Sequence, residues 1–334
     1  MIIHSDKNNV VGVALVVLGV LLLSSMDALI KNLIENGFQV IQIIAMRSWV
    51  VVPLLLVWVI FSSGGIRKLK TKQKRLHFIR VLFGFGAPFF FFQSLTTLQL
   101  ADATVIFFGA TFIMTGLSVP ILKEKVGIHR WSAIAVGFVG ILIANNPSGE
   151  VFNTGSIYAF SSSICYSMMM LISRKLGSSE GTFKLLFFFH AWIGLVANII
   201  LWLGVGGVQF VPMEIEFSML GAGVVLAMSA LVIGGHFSLM RAFSIAPIGL
   251  LASFEYSGIL WATLYSFIGW GYKPGINFWI GATLVVVSGV YVVMREIKVK
   301  KLGDANATMI DSSGPVAAPI PPSYSVEGDI EKKN

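Results

Sequence analysis

The chain has 334 residues, of which 56% are hydrophobic and only 12% are charged, about half the charged fraction of a typical soluble protein. This composition excludes an ordinary water-soluble domain, and the single cysteine, Cys165, excludes a disulfide framework. The net charge of +8 arises from Lys and Arg residues in alternate gaps between apolar runs, so nucleic-acid binding is not needed to explain it.

Apolar runs of about twenty residues, the length of helix that crosses a bilayer core, recur from Val10 to Met294. Nine runs are free of charge and a tenth is interrupted only by Glu255. The runs lack the strict alternation of a membrane β-barrel, so we predict an all-α membrane protein with ten transmembrane helices. The runs are Asn8–Met26, Ser48–Ile66, Val81–Ala101, Ala103–Leu122, Trp131–Gly149, Val151–Ser173, Leu185–Met213, Phe217–Met240, Ala246–Ile268 and Pro274–Met294.

The distribution of basic residues predicts the orientation of these helices. Seven Lys and Arg residues lie between Arg67 and Arg80, in the gap between helices 2 and 3, and every second gap after it is also basic. The other gaps carry mainly acids, among them Glu35 and Asp102. Because cytoplasmic loops are enriched in Lys and Arg, we place both termini in the cytoplasm and the protein in the inner (plasma) membrane.

The chain contains a weak internal repeat. Two triads with the same spacing open helices 5 and 10, namely Glu124, Gly127 and Trp131 in the first half and Tyr272, Gly275 and Trp279 in the second. We therefore predict one five-helix repeat over residues 10–147 and a second over residues 154–296. Because five is odd, the second repeat enters the membrane from the opposite side, an inverted arrangement that is typical of transporters.

The segments that flank the repeats are predicted to lie in the cytoplasm. Residues 1–9 form a short N-terminal segment. Residues 303–334 are rich in Pro, Ser, Ala and acids, without apolar periodicity, which is typical of a disordered tail.

Several motifs resemble those of a known family. They are Leu100-Ala101-Asp102, Leu122-Lys123-Glu124-Lys125-Val126-Gly127, His129-Arg130-Trp131, Gly137-Phe138-Val139-Gly140 and Pro147 in the first repeat, and Ala242-Phe243, Ala246, Phe254-Glu255-Tyr256, Trp261, Pro274 and Ser288-Gly289-Val290-Tyr291 in the second. On these residues the chain resembles the drug/metabolite transporter (DMT) superfamily, specifically its EamA-type branch, over about residues 10–296. Within this branch, the chain is similar to a subgroup that includes S-adenosylmethionine and riboflavin carriers. The residues that carry this similarity are Met26-Asp27-Ala28, Lys31 and Arg47.

The sequence departs from this family at two positions. Thr111 stands where many relatives place a proline in helix 4, which puts a kink there in doubt. Tyr272 stands where the second repeat often has a glutamate, so a role of that acid cannot be transferred.

Charged residues inside the predicted helices are the first candidates for a binding site, because burying a charge at mid-bilayer costs at least about 2.5–3.5 kcal/mol. Asp27 and Lys31 are one helical turn apart, so they are expected to form a salt bridge. Asp27 and Arg47 are expected to approach one another in the outer half of the membrane. Arg47 then either locks helices 1 and 2 in an ion pair or holds a carboxylate or phosphate of a substrate.

Glu255 is expected near the middle of helix 9, about 13 Å from its end. We predict that it exchanges a proton or neutralises a cationic group of the substrate; a protonated glutamate that is hydrogen-bonded within the bundle is the alternative.

Four more side chains are candidates for hydrogen bonding or stacking with an organic solute: Gln93, Tyr166, Tyr256 and Trp261. His190 and His236 are able to titrate near neutrality, but lone helix histidines are more often packed residues.

The resemblance implies a secondary active transporter of a small organic metabolite, such as an amino acid or a nucleoside-like or vitamin-like compound. It implies transport by alternating access. No GxxxxGK[ST] motif for ATP is present, so a gradient must drive transport, with protons as the candidate coupling ion.

We expect no cofactor, no metal and no nucleic-acid partner, and either a monomer or a homodimer in the bilayer. The alternative is a membrane scaffold or sensor whose tail binds partners. An intramembrane enzyme is disfavoured, since no HExxH motif, serine elbow or paired catalytic aspartates are found.

Overall fold

The computed structural model describes residues 2–61, 65–71, 73–123, 127–144, 153–176, 182–204, 219–246, 248–292 and 294, and within these ranges the chain is helical without a β-strand. The α-helices are α1 (Ile2–Glu35), α2 (Val40–Phe61), α3 (Lys74–Ser94), α4 (Leu100–Phe107), α5 (Ala110–Leu122), α6 (Ile128–Ala144), α7 (Thr154–Leu176), α8 (Thr182–Leu203), α9 (Met219–Ile245), α10 (Ile248–Glu255), α11 (Ser257–Trp270) and α12 (Ile276–Val292). The predicted tail, residues 303–334, lies outside the described residues.

Seven helical segments in the described ranges are long and apolar enough to cross a membrane. They comprise α1, α2, α3, the consecutive helices α4 and α5, α7, α8 and α9. The helices α6 and α12 contribute shorter apolar segments, Trp131–Ala144 and Ile276–Val292. The chain is therefore an all-α multi-pass membrane protein, whereas the count of ten crossings stays a prediction.

The helices pack in a small number of extensive pairs. Helix α1 lies against α9, α3 against α7, and α2 against α8, while α4 contacts both α7 and α11. One apolar core, which includes Ile30, Ile44, Phe112 and Ile193, runs through these pairs. Many apolar side chains on the outside of the bundle remain exposed, Leu82 and Leu260 among them, as expected of helices that face lipid.

The fourth apolar run is bent without a proline in its middle. Helix α4 ends at Phe107 and α5 begins at Ala110, so Phe108 and Gly109 form a turn within the run. The residue Thr111 therefore does not prevent the break. The ninth apolar run is also interrupted, at Tyr256 between α10 and α11.

Serine hydroxyls of α7 stabilise the break between α4 and α5. Ser163 donates to the carbonyl oxygen of Ile106 at 3.1 Å, and Ser167 donates to that of Ala110 at 2.8 Å. Carbonyl groups that lose helical partners inside a membrane must find others, because no water is available in the lipid core. The break is consequently compatible with a buried position.

The contact between α1 and α9 depends on glycine, which lets two helix backbones approach closely. A methyl group added at Gly235 would lie 2.8 Å from Cγ of Leu23 and 3.1 Å from the carbonyl oxygen of Gly19. A methyl group at the neighbouring Gly234 would lie 3.4 Å from the nearest atom, Cδ1 of Leu22, which is an ordinary contact.

These neighbouring glycines provide a matched test of the α1–α9 contact. We expect Gly235→Ala to destabilise the protein by about 1–3 kcal/mol through overpacking. We expect Gly234→Ala to leave stability unchanged or slightly raised, because alanine favours helix. Thermal unfolding of the purified protein, followed with a dye that reacts with Cys165, measures the difference. Equal losses in the two variants would contradict the packing described here.

Candidate functional site

Polar and charged residues collect in three places in the bundle. The first, which we call the end cluster, consists of Lys31, Glu35, Asp102, Trp270 and Tyr272. It lies where α1, α3 and α11 end and α4 begins. The other two lie inside the bundle around Arg47 and Glu255.

Lys31 is the centre of the end cluster and is only 3% exposed. Its ammonium group donates to the carbonyl oxygens of Leu98 at 3.1 Å and Leu95 at 3.3 Å. It also pairs with the Glu35 carboxylate at 3.0 Å and lies 5.3 Å from the ring centroid of Trp270. Cations are favourable at helix C-termini, so Lys31 neutralises the end of α3. The expected salt bridge to Asp27 is replaced by the pair with Glu35.

The remaining members of the end cluster connect α11 to α1 and α4. The indole of Trp270 donates a hydrogen bond to Glu35, and the phenol of Tyr272 donates to Asp102 at 2.9 Å. Burial, together with the neighbouring Asp102 carboxylate, raises the pKa of Tyr272, which keeps this phenol a donor. Tyr272, one of the two departures from the family pattern, thus has a partner of its own. The end cluster has the properties of a structural lock.

Arg47 defines the second place, the Arg47 cluster, with Asp27, His190 and His236. Arg47 is 4% exposed, and its side chain donates to the thioether sulfur of Met26 at 3.3 Å. A guanidinium has five N–H donors, and sulfur is a weak acceptor. Among the residues that the structure describes, no protein oxygen accepts a hydrogen bond from this guanidinium. Arg47 therefore keeps donors for a ligand.

Asp27 lies near enough to Arg47 for the two charges to interact. In the described ranges, however, the salt bridge that is formed joins Lys31 to Glu35, and no salt bridge joins Asp27 to Arg47. The structure therefore does not show a closed ion pair that would lock α1 to α2.

The two histidines of this cluster received little weight from the sequence, where each stands alone in its helix. The structure brings their rings together, with centroids 5.3 Å apart and planes at 88°. Both interact electrostatically with Arg47. The two histidines are 46 residues apart in the chain, so sequence patterns do not reveal this pairing. It arises because α8 and α9 both pack against α2.

The third place, the Glu255 cluster, lies at the break between α10 and α11. Glu255 is the last residue of α10 and interacts electrostatically with Tyr166 of α7 and with Tyr256. The ring of Tyr256 stacks on Phe108, with centroids 4.8 Å apart, so that the breaks in the fourth and ninth runs touch one another. The indole nitrogen of Trp261 is buried without a hydrogen-bond partner in the described part of the chain.

A row of aromatic rings connects the Arg47 and Glu255 clusters. The Arg47 guanidinium lies 5.8 Å from the ring centroid of Phe92, and Phe92 contacts Phe91 at 6.0 Å. Phe91 then contacts Phe107 at 5.3 Å, and Phe107 contacts Tyr166 at 5.1 Å. Gln93, the remaining sequence candidate, follows Phe92 on α3 and is half-buried. A row of aromatic rings thus joins a cluster that contains a cation to one that contains an acid.

These features define a class: a multi-pass helical membrane protein with opposite charges inside its bundle. Residues 10–146 match the EamA-like transporter family. The chain thus contains a domain of this transporter family, which confirms the resemblance found in its motifs.

Curated relatives are transporters as well. The chain is 24% identical over 276 residues to an S-adenosylmethionine uptake transporter of Rickettsia conorii, covering 82% of this chain and 90% of the relative. It is 23% identical to a riboflavin transporter of Vibrio cholerae, over 70% of this chain and 76% of the relative. It is 24% identical to a pseudopaline exporter of Pseudomonas aeruginosa, over 83% of this chain and 94% of the relative. These names confirm that the protein belongs with membrane transporters rather than enzymes.

A solved crystal structure has the same fold. It superposes with a TM-score of 0.55 at 17% sequence identity, covering 86% of this chain and 97% of that one. This likeness concerns the fold alone.

The role of Lys31 can be tested by its stability effect. We expect Lys31→Met, which keeps an apolar stem but loses the donors, to destabilise the protein by about 1–3 kcal/mol, because two carbonyls of the α3 end lose their partner. Lys273→Met is the control, since Lys273 is exposed. Thermal unfolding measures both. Wild-type stability in Lys31→Met would show that Lys31 is free for another role.

Proposed function

We propose that this protein is a secondary active transporter that moves a small organic metabolite by alternating access, with Arg47 holding an anionic group of the substrate. The observation that carries this proposal is the donor set of Arg47, which is buried in the bundle and bonded only to a thioether sulfur in the described structure. Arginine recognises carboxylate and phosphate through parallel hydrogen bonds. A buried arginine with unused donors is costly unless a substrate anion completes it.

The Glu255 cluster supplies the second half of the proposed site. Glu255 interacts electrostatically with Tyr166 and Tyr256, and the aromatic row leads from Tyr166 to Arg47. We propose that this end receives a cationic or aromatic part of the substrate, by charge and by stacking. S-adenosylmethionine, riboflavin and pseudopaline, the solutes named for the relatives, all belong to the size class that we propose here.

The helix pairs support an inverted repeat. Numbering the apolar runs from one to ten, the pair α1–α9 joins runs 1 and 8, and the pair α3–α7 joins runs 3 and 6. An inverted repeat would make each run equivalent to the run five positions away, so that run 1 corresponds to run 6 and run 8 to run 3. Under this exchange the pair of runs 1 and 8 becomes the pair of runs 6 and 3. The pairs α2–α8 and α4–α11 are each converted into themselves. This is the pattern that a two-fold axis in the membrane plane would produce.

Two glycines occupy matching places in this pattern. Gly12 of α1 packs against Ala246, which precedes α10, and Gly155 of α7 packs against Leu98, which precedes α4. Both glycines lie near the start of the first run of their repeat. We propose that exchanging the conformations of the two repeats opens the Arg47 and Glu255 clusters alternately to each side. The direction of net transport then depends on the gradients.

The transport proposal is tested in reconstituted vesicles with a panel of labelled metabolites. The panel contains amino acids, nucleosides, S-adenosylmethionine and riboflavin. We expect wild-type protein to move at least one of them, Arg47→Ala to slow that transport at least about tenfold, and Glu255→Gln to change its rate or its pH dependence. Lys273→Ala is the exposed control. If no solute moves under any gradient, the transporter proposal is wrong.

The inverted topology is tested by cysteine labelling on a Cys165→Ala background. We expect single cysteines at Lys70 and at Asn146 to react with an impermeant thiol reagent from opposite sides of the membrane, because an odd number of crossings separates the two gaps. Labelling of both positions from the same side would contradict the five-helix repeat.

A further inference from the structure

The breaks in the fourth and ninth apolar runs divide each of these runs into two half-helices. The fourth run consists of α4 and α5, and the ninth run consists of α10 and α11. The inverted repeat proposed above exchanges the two runs, so it matches α4 with α10, their first halves, and α5 with α11, their second halves. If the two repeats had the same conformation, every contact of a half-helix would recur in its counterpart.

Two of these contacts recur as the exchange requires. Helix α1 packs against α10 and α11, and its counterpart α7 packs against α4 and α5. A third contact does not recur. Helix α4 packs against α11, whereas α5 and α10 do not pack against each other to a comparable extent in the described ranges. The two repeats thus differ in conformation, and the difference lies between the half-helices of the broken runs.

We propose that α4 and α11 form a gate, which this structure holds closed, and that the gate opens as α5 and α10 come together at the other end of the bundle. This inference rests on the inverted repeat and the alternating access proposed above. Exchanging the conformations of the two repeats produces a second state in which α5 packs against α10 and α4 is apart from α11. The α4–α11 end is the outer side in the orientation that the basic residues predict.

Two hydrogen bonds, which we call the clasp, fasten α4 to α11. The buried hydroxyl of Ser266 accepts from the backbone N–H of Ala101 at 3.0 Å, and the phenol of Tyr272 donates to the Asp102 carboxylate at 2.9 Å. The N–H groups in the first turn of a helix lack helical partners, so Ser266 satisfies one of them for α4. Gly271, whose φ is +61°, ends α11 and turns the chain, so that the N–H of Tyr272 donates to the carbonyl oxygen of Ser266 at 3.1 Å. The two clasp residues of the second repeat therefore move as one unit.

The other bonds of the end cluster belong to contacts that do not have to change. Lys31 pairs with Glu35 inside the first repeat, and Trp270 donates to Glu35 across the α1–α11 contact. The hydroxyl oxygens of Tyr265 and Ser25, 2.6 Å apart, also join α11 to α1. Because the α1–α11 contact recurs as the α7–α5 contact, these bonds can persist in both states. The clasp has no such counterpart and must break when the gate opens.

The position of the clasp allows it to break and form again. Tyr272 and Asp102 are half-buried, so water can replace each partner once the helices separate. The net contribution of such a hydrogen bond is small, because water competes for both groups. Lys31, in contrast, is 3% exposed and would leave buried carbonyl oxygens without a donor if it moved away.

The gate is tested by measuring distances across both ends of the full-length protein in lipid nanodiscs. On a Cys165→Ala background, spin labels at Thr96→Cys and Lys273→Cys report on the α4–α11 end. Labels at Lys123→Cys and Ser244→Cys report on the α5–α10 end, and all four positions are exposed. Double electron–electron resonance gives the distance distribution of each pair and requires no substrate.

Two double variants of the second repeat form a matched pair. Tyr272→Phe with Ser266→Ala removes the two clasp bonds to α4, whereas Trp270→Phe with Tyr265→Phe removes two bonds to α1. We expect the clasp variant to raise the ratio of open to closed molecules at the α4–α11 end by about a hundredfold, about tenfold for each bond. The labels at the α5–α10 end should move closer together in the same proportion. We expect the control variant to leave both distance distributions as they are in the wild type.

Three results would overturn the proposal. They are an α4–α11 distance that the clasp variant leaves unchanged, an equal change in both double variants, and opening of the α4–α11 end with no change at the α5–α10 end, which would be local fraying. If the clasp variant does not fold, Tyr272→Phe compared with Trp270→Phe decides the question, with a change of about tenfold expected in the first alone.

These outcomes are separate from those of the transport assay. If vesicles containing the protein move a metabolite while the clasp variant changes neither distance, the transporter proposal stands and the gate proposal fails. If the two ends respond in opposite directions but no solute moves, the gate stands and the failure lies in the transporter proposal.

Discussion

A charge that leaves water for an apolar helical bundle must find other polar groups to replace its hydration, and this requirement distinguishes Lys31 from Arg47, two of the buried cations in the described part of the chain. Lys31 satisfies it completely with two carbonyls, a carboxylate and an aromatic face. Arg47 satisfies it incompletely, through a sulfur, the aromatic face of Phe92 and a carboxylate that is not in salt-bridge contact. The first arrangement holds helices together. The second leaves binding capacity inside the membrane, as a substrate site requires.

Backbone polar groups inside the bundle also need partners, and this requirement explains where the backbone departs from regular helix. The break between α4 and α5 is buried against α7, where serine hydroxyls donate hydrogen bonds to its carbonyl oxygens. The break at Tyr256 packs against the first break through the stacked rings of Phe108 and Tyr256. Irregular backbone is tolerated at membrane depth only when it is enclosed by protein. Both breaks therefore meet inside the bundle, and Glu255 lies directly beside them.

The interior clusters form a graded environment. From the histidine pair the polar side chains lead to Arg47, then along the aromatic row to Tyr166 and Glu255. Positive character dominates one end and a carboxyl group the other. The substrate that we propose carries both an anionic group and an apolar or cationic part, one for each end of this arrangement. The end cluster lies apart from the row and fastens the ends of α1, α3 and α11.

The amino-acid sequence by itself determined the class of the protein and most of its helices, because the length and polarity of a membrane-spanning helix are set by the bilayer and not by neighbouring residues. It also singled out Asp27, Arg47 and Glu255, since charges within apolar runs are visible without a structure. Only the tertiary structure decided the partners. Lys31 pairs with Glu35 rather than Asp27, and His190 meets His236, because side-chain partners depend on helix rotation and packing, which local patterns do not encode.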